Sequence, residues 1–385
     1  MCFVELTSLS LTNFRSFRTL ELTLDRGLTV LAGENAQGKS NLLEAVYLLA
    51  IGKSQRAAVE RELVSWEAAE AGGYAIVAAT VRRAGDAVEI RLGLDCGGGR
   101  TNTVVKRIRV NGVPKRASDL VGVLSAVLFS ASDIDLAYGA PQGRRRYLDV
   151  LLSQTSRRYV HGLQRYLRVL GQRNAVLRSM RDGRAGEDEL AAWDPPLCEQ
   201  GAAVLAARHG AFERLAPLAA EAFERLAGTG PALAVDYVAT VGPHEAGAAP
   251  TPEAFAAALE RSRRQERAAG MTVVGPHRDD IRLALDGVEV AKHASRGQAR
   301  LVALALRLAE ARLLDERRGD PPVILLDDIL AELDERRRRL VLEEALGYPQ
   351  VLLTTAELAL VPPSGLAAAR VLRVADAQVL EEVTV

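Results

Sequence analysis

Eight consecutive residues, Gly33-Glu34-Asn35-Ala36-Gln37-Gly38-Lys39-Ser40, constrain the fold of this chain more than any other feature. They fit the pattern G-x-x-x-x-G-K-[ST], and their surroundings are those the pattern requires. "LTVLAG" (28–33) is a short apolar run ending in glycine, which predicts a buried strand. "NLLEAVYLLA" (41–50) has helical spacing. A strand that turns through such a loop into a helix aims backbone N–H groups and a helix N-terminus at one point, a cradle for phosphate oxygens. There Lys39 would reach the terminal phosphates of a nucleoside triphosphate and Ser40 would ligate Mg²⁺, with Gly33 to Gly38 lining the loop. The chain holds only five lysines, so chance seldom puts one at this position. The competing reading is a glycine-rich turn that merely enters a helix.

The matching half lies far downstream. "VILLDD" (323–328) is an apolar run suited to a strand buried on both faces, and it ends in two acids. Asp327 would hold Mg²⁺ through its water shell, as a Walker-B aspartate does. Asp328 would orient the attacking water; it is one methylene shorter than glutamate, which predicts slow turnover. A solvated acidic turn is the alternative. Lys39 and Asp327 are 288 residues apart, so the chain must leave the sheet and return. One helix upstream of the acidic strand stands Ser295-Arg296-Gly297-Gln298. Alone, S-x-x-Q is a capping box. Followed by a helix, an acidic strand and Leu333-Asp334, it has the order found in ABC-type ATPases. Their Ser and Gly face the γ-phosphate held by the other protomer, so ATP is sandwiched in a dimer. A capped helix N-terminus is compatible with both roles.

Charge is segregated along the chain although the net formal charge is zero. From Gln142 to Arg184 eleven arginines face two aspartates, a net +9; from Ala185 to Glu260 twelve acids face three arginines, a net −9. Over 139–268 the pattern is helical, with Tyr159, Leu163, Tyr166, Leu167 and Leu170 on one predicted face. Arg144, Arg145, Arg146, Arg157, Arg158, Arg165 and Arg168 are the candidate DNA contacts, since arginine–phosphate contacts are indifferent to sequence. A solvated helix face, or docking onto the acidic segment, is the competing reading. Strand and hairpin patterns occupy 1–138 and 269–385, including Asn111-Gly112 and Asp286-Gly287 turns. The expectation is an α/β head made from those two segments, with a helical insertion domain over 139–268. Cys2, Cys96 and Cys198 have no metal-ligand spacing, which points to a reducing compartment and no structural zinc. No apolar stretch approaches the ~20 residues that cross a bilayer, so a cytoplasmic protein without membrane attachment is expected.

"LTNFRSF", "GENAQGKSNLLEAVYLLA", "GAPQGRRRYLD", "GQRNAVLR", "GPHRDDI", "SRGQARLVALALRLAEA" and "LLDDILAELD" together span almost the whole chain. On these stretches it resembles the RecF family of bacterial recombination mediators, relatives of the SMC-type ATPase heads. The resemblance implies an ABC/SMC-type P-loop head in which the helical insertion replaces a long coiled coil. It implies a weak, DNA-stimulated ATPase that dimerises on ATP and binds duplex or gapped DNA. With RecR, and in concert with RecO, such a protein helps place RecA on gaps in replication-coupled repair and the SOS response, in the cytoplasm at the nucleoid. By position it implies Asn13 and Arg15 beside the nucleotide and Ser295, Gly297 and Gln298 as the trans-acting signature. It also implies Glu332 to Asp334 as a dimer-contacting loop and Thr355 at the switch position. "KSQRAA" and "FSASD" depart from the family pattern at Gln55, Ala57 and Ala131. Two readings stay open: a DNA-binding scaffold that uses ATP only as a dimerisation ligand, and a different SMC-like head.

Overall fold

The computed structural model describes residues 4–83, 85–97, 103–242 and 250–382; Cys2 lies outside them. The chain forms two compact units. One comprises Met1–Asp133, Arg225–Gly228 and Leu304–Val385, the other Ile134–Glu224 and Thr229–Ala303.

Two six-stranded sheets build the first unit. The antiparallel sheet has the order β2-β1-β4-β5-β6-β7, from Val4–Phe14 (β1), Phe17–Thr23 (β2), Tyr74–Arg83 (β4), Asp86–Asp95 (β5), Val105–Val110 (β6) and Val113–Lys115 (β7). The second sheet has the order β15-β14-β3-β13-β12-β8. Its strands are Gly27–Ala32 (β3), Ala126–Ser130 (β8), Val323–Asp327 (β12), Gln350–Thr355 (β13), Ala369–Ala375 (β14) and Gln378–Glu382 (β15). All pair in parallel except β15 at one edge. Helix α1 (Lys39–Ile51) is buried on every side between the sheets, as a helix that is apolar all round must be. Its Leu42, Leu43, Val46, Leu48 and Leu49 join side chains of both sheets in one core, each burial contributing about 1.5–3 kcal/mol. Asn111 and Gly112 both have positive φ, as the expected hairpin turn requires.

The second unit is mostly helical. Its longer helices are α2 (Pro141–Thr155), α3 (Arg157–Arg181), α4 (Asp194–Ala227) and α5 (Pro252–Ala269). The basic stretch is therefore two helices, divided at Ser156, whose hydroxyl caps α3 by accepting from the Tyr159 N–H. Leu167, expected on the apolar face, is 49% exposed; Tyr159, Tyr166 and Leu170 are buried. Residues 269–303 belong to this unit, past the boundary that composition suggests at 268. The reason is pairing: β10 (Asp280–Leu285) forms a three-stranded sheet with β9 (Leu233–Val238) and β11 (Val288–Glu289).

Candidate phosphate-binding site

Strand β3 is flanked by β14 and β13, and its side chains from Leu28 to Ala32 are buried. The loop that leaves it needs glycine at two points for two reasons. A Cβ on Gly33 would lie 2.1 Å from the Val374 carbonyl oxygen, so β14 approaches too closely for any side chain. Gly38 has φ +103°, and a Cβ there would meet Ser16 Oγ at 2.9 Å. Between them Glu34, Asn35 and Ala36 are exposed, which leaves the outer rim of the loop accessible. Gln37 is tied elsewhere, its Oε1 accepting the Asp376 N–H at 2.6 Å from the β14–β15 turn. Lys39 is buried and folds back over the loop, Nζ donating to the Gly33 and Glu34 carbonyls at 2.6 and 2.7 Å. Burial lowers its pKa, while the charges of Asp328 and Asp327 work against that shift.

Strand order brings the acids to this loop. β13 lies between β3 and β12, with Thr355 opposite Ala32 and Asp327 opposite Thr354. The C-terminal ends of all three strands thus converge on the start of α1. Ser40 Oγ donates to Asp327 Oδ1 at 2.6 Å across 287 positions of sequence. Thr354 Oγ1 donates to the same oxygen at 2.9 Å and accepts the Asp328 N–H at 2.9 Å. Asp328 takes a left-handed backbone with φ 52°. Among the described residues its carboxylate makes no hydrogen bond. Burial raises its pKa, Lys39 opposes the rise, and Asp327 adds to it. The pair is therefore differentiated: Asp327 is fixed by two hydroxyls, and Asp328 is free. Ser40 and Asp327 offer hard oxygens side by side, a donor set suited to Mg²⁺.

The residues implied by resemblance are placed less simply. Asn13, near the end of β1, and Arg15, in the β1–β2 turn, both have positive φ. Asn13 Nδ2 donates to the Tyr74 carbonyl, and Arg15 is held by Glu44 through two bonds of 2.9 and 2.8 Å. Both side chains are thus engaged with protein partners rather than pointing freely at the loop; what touches the loop is Ser16. Glu44 also accepts from Ser54 Oγ, whose hydroxyl in turn accepts the N–H groups of Arg56 and Ala57. That network fixes "KSQRAA" despite Gln55 and Ala57. Thr355 is buried and closes a local turn with the backbone of Glu357. Adjacent strand residues face opposite ways, so only one threonine of the pair can meet the acids, and it is Thr354. A cleft of about 510 Å³ opens beside α1, lined by Arg15, Ser16, Asn41, Arg61 and the 79%-exposed Trp66 among others.

Ser295, Gly297 and Gln298 lie in the second unit, at the start of α6 (Arg296–Arg318). The capping box is complete: Gln298 N–H donates to Ser295 Oγ at 3.2 Å, and Ser295 N–H donates to Gln298 Oε1 at 2.9 Å. Ser295 and Gly297 are exposed, and outside the helix's own backbone and the adjoining residues no atom of the described residues but Ser295 Oγ comes within 4 Å of a Cβ built on Gly297. Asp334 caps α7 (Glu335–Leu346), its Oδ1 accepting from the Arg337 N–H.

The arginines divide. Arg144 is buried and bidentate on Asp280, at 2.7 and 2.9 Å, because α2 packs against β10. Arg145 is half-buried and donates to the Asp279 carbonyl. Arg144 therefore presents no guanidinium for a phosphate, which corrects the sequence expectation for it, whereas Arg145 has one nitrogen engaged. Arg146, Arg157, Arg158, Arg165 and Arg168 are exposed, Arg165 touching Gln200. Arg173 is fully buried between Glu266 and Asp194. His277 accepts from the Tyr166 hydroxyl at Nδ1 and donates from Nε2 to the Thr272 carbonyl, and burial lowers its pKa to about 4. It is a neutral structural residue. Sequence reasoning passed over Thr354 and Glu44; the one acid inside the apolar "NLLEAVYLLA" was the available signal for the latter.

Residues 5–361 match the RecF/RecN/SMC N terminal domain family. The DNA replication and repair protein RecF of Herpetosiphon aurantiacus is 44% identical over 359 residues, spanning 90% of this chain and 92% of that protein. The protein of the same name from Chloroflexus aggregans is 40% identical over 383 residues, spanning 96% and 98%. A solved structure described as the recombination mediator protein RecF-ATP in the RecFOR pathway matches with a TM-score of 0.87. It is 30% identical and covers 99% of this chain and 98% of that one. An Smc head domain from Pyrococcus furiosus, 17% identical with a TM-score of 0.55 over 100% of this chain and 96% of that one, shares the fold.

Proposed function

The chain belongs to the RecF family of the RecF/RecN/SMC N-terminal-domain proteins, and from that premise we propose that it is an ATP-dependent DNA-binding ATPase of replication and gap repair. ATP binds with its phosphates in the Gly33–Ser40 loop and its base in the cleft beside Asn41 and Trp66. Lys39 exchanges the loop carbonyls for the β- and γ-phosphates. Ser40 and Asp327 hold Mg²⁺, which when bound neutralises charge developing on the phosphate oxygens. Asp328 orients the attacking water and takes its proton. Ser295 and Gly297 of a second copy close on the γ-phosphate, with Asp334 at the dimer contact, so two ATP molecules hold a dimer together. Arg146, Arg157, Arg158, Arg165 and Arg168 contact duplex or gapped DNA. In that setting the protein acts with RecR, and through RecO, in placing RecA on gaps.

The reading rests above all on the unequal treatment of the two aspartates. A merely solvated strand end gives no reason for one acid to be bound by Ser40 and Thr354 while its neighbour is left unbonded beside Lys39. Sizing the protein with ATP, with ADP and without nucleotide tests it. An ATP-specific dimer that Asp328→Asn traps, and that Ser295→Arg abolishes while ATP still binds, is the expected result. A monomer in all three conditions, with ATP bound, would overturn the composite site. Phosphate release that DNA never stimulates would favour a scaffold that uses ATP only as a dimerisation ligand. Arg158→Glu, Arg165→Glu and Arg168→Glu together should abolish duplex retention at moderate salt and leave ATP binding intact.

A further inference from the structure

The solvent-facing side of the antiparallel sheet carries a feature that the nucleotide site does not use. On β5, Arg91 lies directly opposite Arg109 of β6 on one side and Ala78 of β4 on the other. Two residues along, Gly93 lies between Ile76 and Arg107; two further, Asp95 pairs with Tyr74. These positions share one face, because alternate strand residues do. Arg91, Arg107 and Arg109 are exposed, and so is Tyr74 at 52%. A cleft of about 310 Å³ runs across the face between them.

Folding alone explains neither the glycine nor the arginine pair. Gly93 sits in the middle of a strand whose register with both neighbours is continuous, so it marks no bulge. Among the described residues a Cβ there would meet nothing nearer than the Arg107 carbonyl oxygen at 3.9 Å, an ordinary contact. Glycine in a strand interior weakens the strand, and a close-approaching ligand is one of the few reasons to keep it. Like charges directly opposite each other also destabilise a sheet. Arg107 has Asp95 as an ion-pair partner, but among the described residues the guanidinium groups of Arg91 and Arg109 have no hydrogen bond or ion pair. An open floor, an exposed aromatic ring and unneutralised guanidinium groups on an antiparallel sheet suit a chain of stacked bases and phosphates.

We propose that this face binds single-stranded nucleic acid, one base stacking on Tyr74 above Gly93 and the flanking phosphates meeting Arg91, Arg107 and Arg109. The site is separate from the arginines of α3 and does not depend on their role. The test is fluorescence anisotropy of the full-length protein with a labelled dT₂₀ strand over a salt series. Gly93→Val fits the strand and should leave the thermal midpoint unchanged or higher while weakening dT₂₀ as much as Tyr74→Ala does, roughly 5- to 150-fold. Arg91→Ala with Arg109→Ala should flatten the logarithmic salt slope by about 1.4, the share of two single-strand phosphate contacts. The triple glutamate variant of α3 should bind dT₂₀ like the wild type, so the two surfaces fail or succeed separately. Wild-type binding by Gly93→Val overturns the proposal. So does equal displacement of dT₂₀ from wild type and Tyr74→Ala by polyglutamate, which would make the face a charge-only dock for an acidic protein.

Discussion

Replacing Thr354 by valine keeps the volume of a fully buried side chain and removes one hydroxyl. That hydroxyl donates to the Asp327 side chain and accepts the Asp328 N–H, both at 2.9 Å. A hydrogen bond to a charged group contributes about 1.5–3 kcal/mol, and a buried N–H left without an acceptor costs about 1–3 kcal/mol. Asp327 keeps its bond from Ser40, which softens the first loss, so the expected destabilisation is roughly 2–4 kcal/mol. Thr354→Ser keeps the hydroxyl and loses one methyl, which costs about 1 kcal/mol. Urea denaturation followed by circular dichroism should separate the two variants clearly. Asp328 is also held less firmly in its left-handed backbone, so kcat for ATP should fall by about tenfold, equivalent to ~1.4 kcal/mol, with nucleotide affinity little changed. If valine costs no more than serine, or kcat is unmoved, Thr354 does not organise the acids.

Asp328→Asn removes a carboxylate whose pKa burial raises, so it should stabilise the fold while stopping hydrolysis. For an acid with a raised folded pKa, the native state loses stability as pH rises from the unfolded value, about 3.9, through the folded one. The gain in thermal midpoint should therefore be complete at neutral pH and shrink as pH falls toward 4; a gain that grows on acidification would refute the burial argument. Arg173→Met should cost about 3–5 kcal/mol by stranding Glu266, which is fully buried at 2.6 Å from the guanidinium, and Glu266→Gln should recover part of it in thermal melts. At the β14–β15 turn Asp376 and Ala377 have φ of 49° and 55°, so Ala377→Gly should stabilise by about 0.5–1 kcal/mol in chemical denaturation. A loss there would mean that the turn's strain is relieved elsewhere.

Much of the site is legible in the one-dimensional order of residues because phosphate loops rest on local backbone chemistry. Gly33 to Ser40, with a strand before and a helix after, carry their geometry within a dozen residues. The same holds for the capping box at Ser295–Gln298, whose two bonds close within one helical turn. Local patterning also places the Asn111-Gly112 hairpin. The basic run shows the limit of such reading. Seven candidate arginines look alike in sequence, yet Arg144 is buried on Asp280, 136 residues away. Nothing near it in the chain distinguishes it from Arg146 or Arg158.

By itself the sequence determined which chemistry is present: a phosphate cradle, a pair of strand-terminal acids, a capped helix and a basic helical segment. Those depend on spacing, periodicity and side-chain type. The tertiary structure decided how the two acids divide their work, because strand order alone puts Thr354 between the loop and Asp327. It decided that Arg15 and Asn13 spend their hydrogen bonds on Glu44 and Tyr74, and that Arg144 and Arg173 are structural. It also set Arg91 against Arg109 across two strands with a bare glycine beside them. Such pairings join residues many positions apart, and only the packed sheet and its register bring them within reach.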